Sequence, residues 1–166
     1  KPGSYAANCL LARRMIEAGV RYVQLFDRDW DHHRSAKRHM PRKTRETDQP
    51  TAALIRDLKQ RGLLDDTFVM MMGEFGRTPR INGAAGRDHW GPGFTVAIGG
   101  GGVQGGRIIG RSDERAERPA DNPFGPEDLN TTIYHLLGIN PKEEFHTIEG
   151  RPMPIISGGR VIEELL

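Results

Sequence analysis

The sequence predicts an α/β fold, a mostly parallel sheet flanked by helices. Two observations carry the prediction: helical and strand patterns alternate over the first 72 residues, and the strand patterns are short apolar runs rich in β-branched and aromatic residues. The 166 residues, with 36% hydrophobic and 28% charged side chains, fit one folded domain over residues 1–166 with its own core.

Local signals place the first two elements. Ser4 is a suitable N-cap for a helix over residues 5–18, and Gly19 is suited to end it. The run Val20-Arg-Tyr-Val-Gln-Leu-Phe26 predicts a buried strand. Residues 27–45 lack an apolar period and are predicted to form a loop.

The second helix–strand pair is predicted by the same signals. Asp48-Gln-Pro50 resembles an N-cap followed by a proline in the first helical turn. Leu54 and Leu58 continue this helix at the right spacing, and Gly62 ends it. The apolar run of residues 67–72 is then predicted to be the second buried strand.

The second half of the chain carries weaker signals. Strands are predicted at residues 94–98, 107–110 and 154–156, with a polar loop at 113–124. Residues 126–137 predict a helix, because acidic residues in its first turn complement the helix dipole and a glycine follows its end.

Polar side chains follow two of the predicted strands. Asp31, His32 and His33 come after the first, and Glu74, Arg77 and His89 come after the second. Sites in open α/β sheets lie at the carboxyl ends of strands. We therefore expect the two loops to form opposite halves of one site, a metal site.

Several candidate ligands have structural alternatives. Asp31 and His33 can converge on a divalent cation from one loop more easily than Asp31 and His32, although exposed histidine pairs are common without a metal. Glu74 suits a metal or an ion pair with Arg77 or Arg80.

The remaining candidates suit anion binding and proton transfer. The planar guanidinium of Arg77 matches a pair of sulfate or phosphate oxygens. His89 could bind metal with Asp88 as its orienting carboxylate, act as a general acid or base, or be a loop histidine satisfied by the backbone. The basic residues between Arg34 and Arg45 form either a solvated loop or a rim that attracts an anionic substrate.

Other features argue against particular classes of function. The pattern Gly100-x-Gly102-x-x-Gly105 lacks the following helix that a nucleotide phosphate needs. The single cysteine, Cys9, excludes an intrachain disulfide, and the apolar runs are too short to span a membrane. A net charge of +2 favours no class of partner, and we expect no nucleic acid.

Together, several motifs resemble the C-terminal part of a bacterial family, the domain-of-unknown-function family fifteen hundred and one, which is abundant in planctomycetes. The resemblance covers nearly the whole chain. Its motifs are Leu11-Ala-Arg-Arg-Met-Ile-Glu-Ala-Gly-Val-Arg-Tyr-Val23, Trp30-Asp-His-His33, Gly62-Leu-Leu-Asp-Asp-Thr67, Gly73-Glu-Phe-Gly-Arg-Thr-Pro79, Gly86-Arg-Asp-His-Trp90 and Asp128-Leu-Asn-Thr-Thr-Ile-Tyr-His-Leu-Leu-Gly-Ile139.

This resemblance implies an alkaline-phosphatase- or sulfatase-like fold with a metal-dependent hydrolase site. The metal would be zinc, calcium, magnesium or manganese, and the substrate a small anionic ester or a sulfated polysaccharide. Asp31, His33 and His89 would bind one metal and Glu74 a second, while Phe75 departs from the histidine or asparagine that relatives often carry there.

Family members of this kind are usually longer and are often exported to the periplasm. Their nucleophile lies in an upstream half that nothing in these 166 residues matches, so we expect a truncated version of the fold. The alternative is a non-catalytic module of the same fold that binds acidic glycan.

Overall fold

The computed structural model describes residues 1–166 and contains three α-helices and eight short strands. In chain order these are α1 (Tyr5–Glu17), α2 (Ala36–Gln60), β1 (Val69–Met71), β2 (Gly76–Arg77), β3 (His89–Trp90), β4 (Ala97–Gly99), β5 (Arg111–Ser112), β6 (Pro119–Asp121), α3 (Pro126–Leu136), β7 (Glu144–His146), β8 (Pro152–Pro154) and a final 3-10 turn, Glu163–Leu165. None of the helices has the length and apolar character that a membrane crossing requires.

The predicted parallel sheet is wrong. The strands form four separate antiparallel pairs, β1 with β4, β2 with β3, β5 with β6 and β7 with β8. A parallel pair needs a long crossover that carries the chain back to the same edge, usually a helix. No helix lies between β1 and β4, and the chain returns antiparallel, with Val69 opposite Gly99.

Helix α1 is confirmed by its cap. The Ser4 hydroxyl accepts a hydrogen bond from the backbone N–H of Ala7 at 3.2 Å, which satisfies one of the free N–H groups of the first turn. Cys9 is buried on this helix. Gly19 has a φ of +86°, the left-handed conformation that commonly ends a helix.

Helix α2 has its N-cap at Ser35, thirteen residues before the predicted N-cap at Asp48, so the expected loop at 27–45 is wrong over its second half. The buried positions of α2 do follow a helical stripe, but polar or small residues occupy most of it, which hid the period. These residues are Ala36, Lys43, Thr47, Pro50 and Leu58. Lys43 can be buried because its Nζ lies 2.7 Å from a carboxylate oxygen of Asp27.

Helix α3 is confirmed, and its first turns hold the C-terminal segment. The Asp128 carboxylate accepts hydrogen bonds from the backbone N–H groups of Gly125 at 2.9 Å and Arg160 at 2.8 Å. Thr132 is buried, and its hydroxyl accepts from the N–H of Ile162 at 2.9 Å. Residues 107–110 form no strand, contrary to prediction.

Much apolar surface remains exposed. The accessible surface is 12,132 Å², whereas a folded monomer of this mass exposes about 8,200 Å². The predicted strand at residues 20–26 is wrong, because residues 21–26 make no backbone–backbone hydrogen bond. Most of the segment lines one pocket together with Leu11 and Met15 of α1. Tyr22 and Phe26 are 77% and 75% exposed.

Candidate metal centre

The site is formed where the loop before α2 meets the β2–β3 pair. In this antiparallel ladder Arg77 lies directly opposite His89, so both side chains project from the same face. The loop before α2 carries Asp31 and His33 to that face. The eleven residues between β2 and β3 make several hydrogen bonds to the loop before α2, and this contact brings together residues up to 58 positions apart.

Three side chains converge on one point. The distance from Asp31 Oδ1 to Nε2 is 3.0 Å for both His33 and His89. The two histidine Nε2 atoms are 3.1 Å apart. Together these residues form the one group of three or more possible metal ligands in the structure.

A carboxylate fixes which nitrogen of His33 carries the proton. His33 Nδ1 lies 2.8 Å from Asp88 Oδ1. The hydrogen bond from His33, followed by one from Asn82, lowers the pKa of Asp88, so this carboxylate is ionised and can only accept. Nδ1 is therefore the donor, and Nε2 of neutral His33 presents a lone pair to Asp31 and His89.

Arg77 holds the same carboxylate oxygen. Its Nη1 donates to Asp31 Oδ1 at 2.5 Å. This hydrogen bond, and then one from His89, lowers the pKa of Asp31 to about 2. The Phe75 ring lies 4.3 Å from the His89 ring and 5.5 Å from the Arg77 guanidinium, so it supports both polar side chains from one side.

The loop is anchored to α2 by a buried amine. Lys43 Nζ lies 2.7 Å from Asp27 Oδ2 and 5.6 Å from the centre of the Trp30 ring. The Trp30 Nε1–H donates to the same Asp27 carboxylate oxygen at 2.6 Å. These contacts fix the chain on the N-terminal side of Asp31, four residues after Asp27.

Two residues to which the sequence analysis gave no role, Asn82 and Gly86, join the halves of the site. Asn82 donates from Nδ2 to the backbone oxygen of His33 and to Asp88, each at 3.0 Å. A Cβ added to Gly86 would lie 2.1 Å from the backbone carbon of His33, so only glycine allows this approach. The only available signal was that Asn82-Gly83 is a common turn pair.

The other predicted residues lie elsewhere. Glu74 is exposed and outside the cluster, so its predicted role as a second metal ligand stays a prediction. His32 turns away, and its ring stacks on that of His39 at 5.6 Å. Asp88 was expected beside His89 as its orienting carboxylate, but its hydrogen bond goes to His33.

The three converging groups fit a divalent ion. One carboxylate oxygen and two imidazole nitrogens are a ligand set found at zinc and other transition-metal sites. Tetrahedral zinc with ligands at its usual bond lengths keeps those ligands about 3.3 Å apart. The observed separations of 3.0–3.1 Å are close to this value.

Comparison with known proteins identifies the family alone. No curated protein and no solved structure matches the chain. One family model, described as "Protein of unknown function (DUF1501)", matches residues 1–166, the full length of the sequence. The motifs around Asp31 and His89 thus lie within the matched region, and the chain belongs to the DUF1501 family.

Proposed function

We propose that this chain is a metal-dependent, hydrolase-like domain that acts on sulfate or phosphate esters. One observation carries the metal: Asp31 Oδ1 and the Nε2 atoms of His33 and His89 lie within 3.1 Å of one another, and each of the three atoms can be a metal ligand. His33 Nε2 faces this carboxylate oxygen at 3.0 Å, an arrangement that a bound cation would stabilise.

Each residue has a role in this proposal. Asp31, His33 and His89 hold the ion, which when bound polarises an ester oxygen and stabilises developing negative charge. Arg77 uses only Nη1 on Asp31 in the structure, and its other guanidinium N–H groups can bind the oxygens of the anion. In the alternative role, His89 transfers a proton at Nε2.

The sulfatase- and phosphatase-like chemistry rests on the resemblance of the motifs and on these residues, not on the fold. The proposal gives these residues the binding of the metal and of the anion, and it assigns no nucleophile. Binding of metal and anion is accordingly the activity to test first.

The metal is tested by titrating Zn²⁺, Mn²⁺, Mg²⁺ and Ca²⁺ into metal-free protein and by measuring bound metal with mass spectrometry. We expect one ion per chain in the wild type, lost in His33→Ala and His89→Ala. His32→Ala is the matched control, because His32 neighbours the site but faces His39. Equal loss in the control, or no uptake by the wild type, would contradict the proposal.

One observation favours a second function, binding of an acidic glycan without catalysis. The segment from Arg34 into the first half of α2 exposes five cationic side chains: Arg34, Lys37, Arg38, Arg42 and Arg45. Of these, only Arg42 lies within ion-pair distance of a carboxylate, 3.2 Å from Glu46. The surface charge is therefore mostly uncompensated and available to a polyanion.

The two functions differ in a simple assay. An enzyme releases sulfate or phosphate from an aryl ester in a metal-dependent reaction. A binding module retains a sulfated polysaccharide such as heparin at low salt, loses it as salt rises, and releases nothing. Reversing Lys37 and Arg38 to glutamate should abolish retention on heparin and leave metal uptake unchanged.

A further inference from the structure

We infer that Asn82 is a positioning residue for the metal centre, acting through Asp88 on the tautomer of His33; this inference rests on the proposed metal function. Asn82 contacts none of the three ligand atoms. Its amide instead determines where the carboxylate of Asp88 lies and where the backbone of His33 lies relative to it.

The hydrogen-bonding capacity of the Asn82 side chain is fully used. Both Nδ2 protons are donated, one to the His33 backbone oxygen and one to Asp88 Oδ1, each at 3.0 Å. Oδ1 accepts from the N–H groups of Ala84 at 3.0 Å and Gly86 at 2.9 Å. Two donors and two acceptor positions are all that an asparagine amide has.

These bonds divide into two functions. The oxygen closes the turn of residues 82–86, which the backbone also closes through Asn82 N–H to Gly86 O at 2.9 Å. The nitrogen joins that turn to the neighbouring loop, because it bonds the backbone and, through Asp88, the imidazole of the same residue, His33. One NH₂ group thereby positions both the backbone of His33 and, through Asp88, its imidazole ring.

The consequence for His33 is a fixed tautomer. Asp88 Oδ1 accepts two hydrogen bonds, one from Asn82 Nδ2–H and one from His33 Nδ1–H. With Nδ1 protonated, Nε2 is left as the free acceptor that faces Asp31 and His89. Outer groups that orient a metal-binding histidine in this way commonly change metal affinity by about 10–100-fold when removed.

An isosteric variant separates the two functions. Asn82→Asp keeps an oxygen that can accept from Ala84 and Gly86 and so keeps the turn, but it replaces the NH₂ group by an oxygen facing Asp88 Oδ1 and His33 O. The like charges push Asp88 away from His33. Asn82→Ser is the second variant: its hydroxyl can support the turn but is too short to reach both partners.

The readout is the protonation of the His33 nitrogens in metal-free protein, from long-range ¹H–¹⁵N spectra of the imidazoles at pH 8. We expect the Nδ1–H form in the wild type and its loss in both variants, together with about 10–100-fold weaker Zn²⁺ binding. His32 in the same spectra is the internal control, since it has no contact with Asn82.

Each possible result either supports or overturns the positioning role of Asn82. An unchanged His33 tautomer and unchanged Zn²⁺ affinity in Asn82→Asp and Asn82→Ser would overturn it. If the wild type binds no metal, the proposed function fails, and the tautomer in the metal-free variants alone then supports or overturns the positioning role. If Asn82→Asp does not fold, Asn82→Ser gives the same two readouts.

Discussion

The loop around Asp31 and the segment of residues 20–26 adjoin in the sequence but are held in opposite ways. The loop is fixed by polar contacts that engage Lys43, Asn82 and Asp88. The apolar segment has no backbone pairing and exposes Tyr22 at 77%. Polar contacts thus hold the loop, whereas the segment has neither backbone pairing nor much buried apolar surface to hold it.

Breaking the ion pair between Lys43 and Asp27 should have the largest effect on the stability of the fold. Lys43→Met keeps the length of a side chain that is 4% exposed but leaves the Asp27 carboxylate without its cation. Because Asp27 is itself 21% exposed, we expect a loss of about 3 kcal/mol, the lower end of the range for breaking buried pairs. The free energy of unfolding in urea measures it.

Lys37→Met is the matched control for this change. Lys37 is on the same helix but exposed and outside every ion pair, so its replacement should alter stability by less than about 0.5 kcal/mol. Equal stability of Lys43→Met and Lys37→Met would mean that the buried amine does not anchor the loop.

Asp128 tests whether polar contacts also hold the C-terminal segment. Asp128→Ala removes the acceptor for the N–H groups of Gly125 and Arg160, and we expect about 1–2 kcal/mol lower stability at pH 7. These hydrogen bonds lower the pKa of Asp128, the Gly125 bond most. Its contribution is thus present above the ordinary aspartate pKa of about 3.9 and lost as pH falls through the lower folded value.

The measurement compares urea unfolding of wild type and Asp128→Ala at pH 7 and below pH 3. The difference between them should shrink at low pH, whereas Glu127→Ala, in the same helical turn but without these bonds, should differ little from wild type at either pH. A difference that stays constant with pH would show that the ionised carboxylate is not the stabilising group.

The smallest effect is expected in the apolar segment. Tyr22 is 77% exposed and no other strand flanks it, so Tyr22→Ser should change the free energy of unfolding by less than about 0.5 kcal/mol. A loss above about 1.5 kcal/mol in urea unfolding would show that this segment is buried in solution and would remove the contrast with the loop.

Local signals were sufficient for two of the three helices. The cap at Ser4 and the acidic first turn of α3 act within a few residues, so the sequence predicts them directly. The start of α2 was missed because Lys43 and Thr47 occupy buried positions where an apolar pattern would have shown the helix. Burial of Lys43 depends on Asp27, which no periodicity reveals.

The sheet and the site were predictable to different degrees. Strand pairing is decided by contacts between distant segments, so the alternation of patterns wrongly suggested parallel strands. The structure does bring Asp31, His33, Arg77 and His89 together. The ladder places Arg77 opposite His89, and hydrogen bonds to His32 O and His33 O hold the loop before α2 beside them. Asp88 accepts a hydrogen bond from His33 and not from His89, its neighbour in the sequence. This choice depends on Asn82 and on the close approach of Gly86 to the His33 backbone, both of which are tertiary features.

The unpaired segment also has a consequence for how the protein behaves at high concentration. Residues 21–26 present free main-chain donors and acceptors beside Tyr22 and Phe26, and such a row is a template to which another extended chain can add. Charges bracket it, with Arg21 on one side and the run Asp27-Arg28-Asp29 on the other. We expect these charges to oppose self-association, so that solubility depends on them more than on any residue of the site.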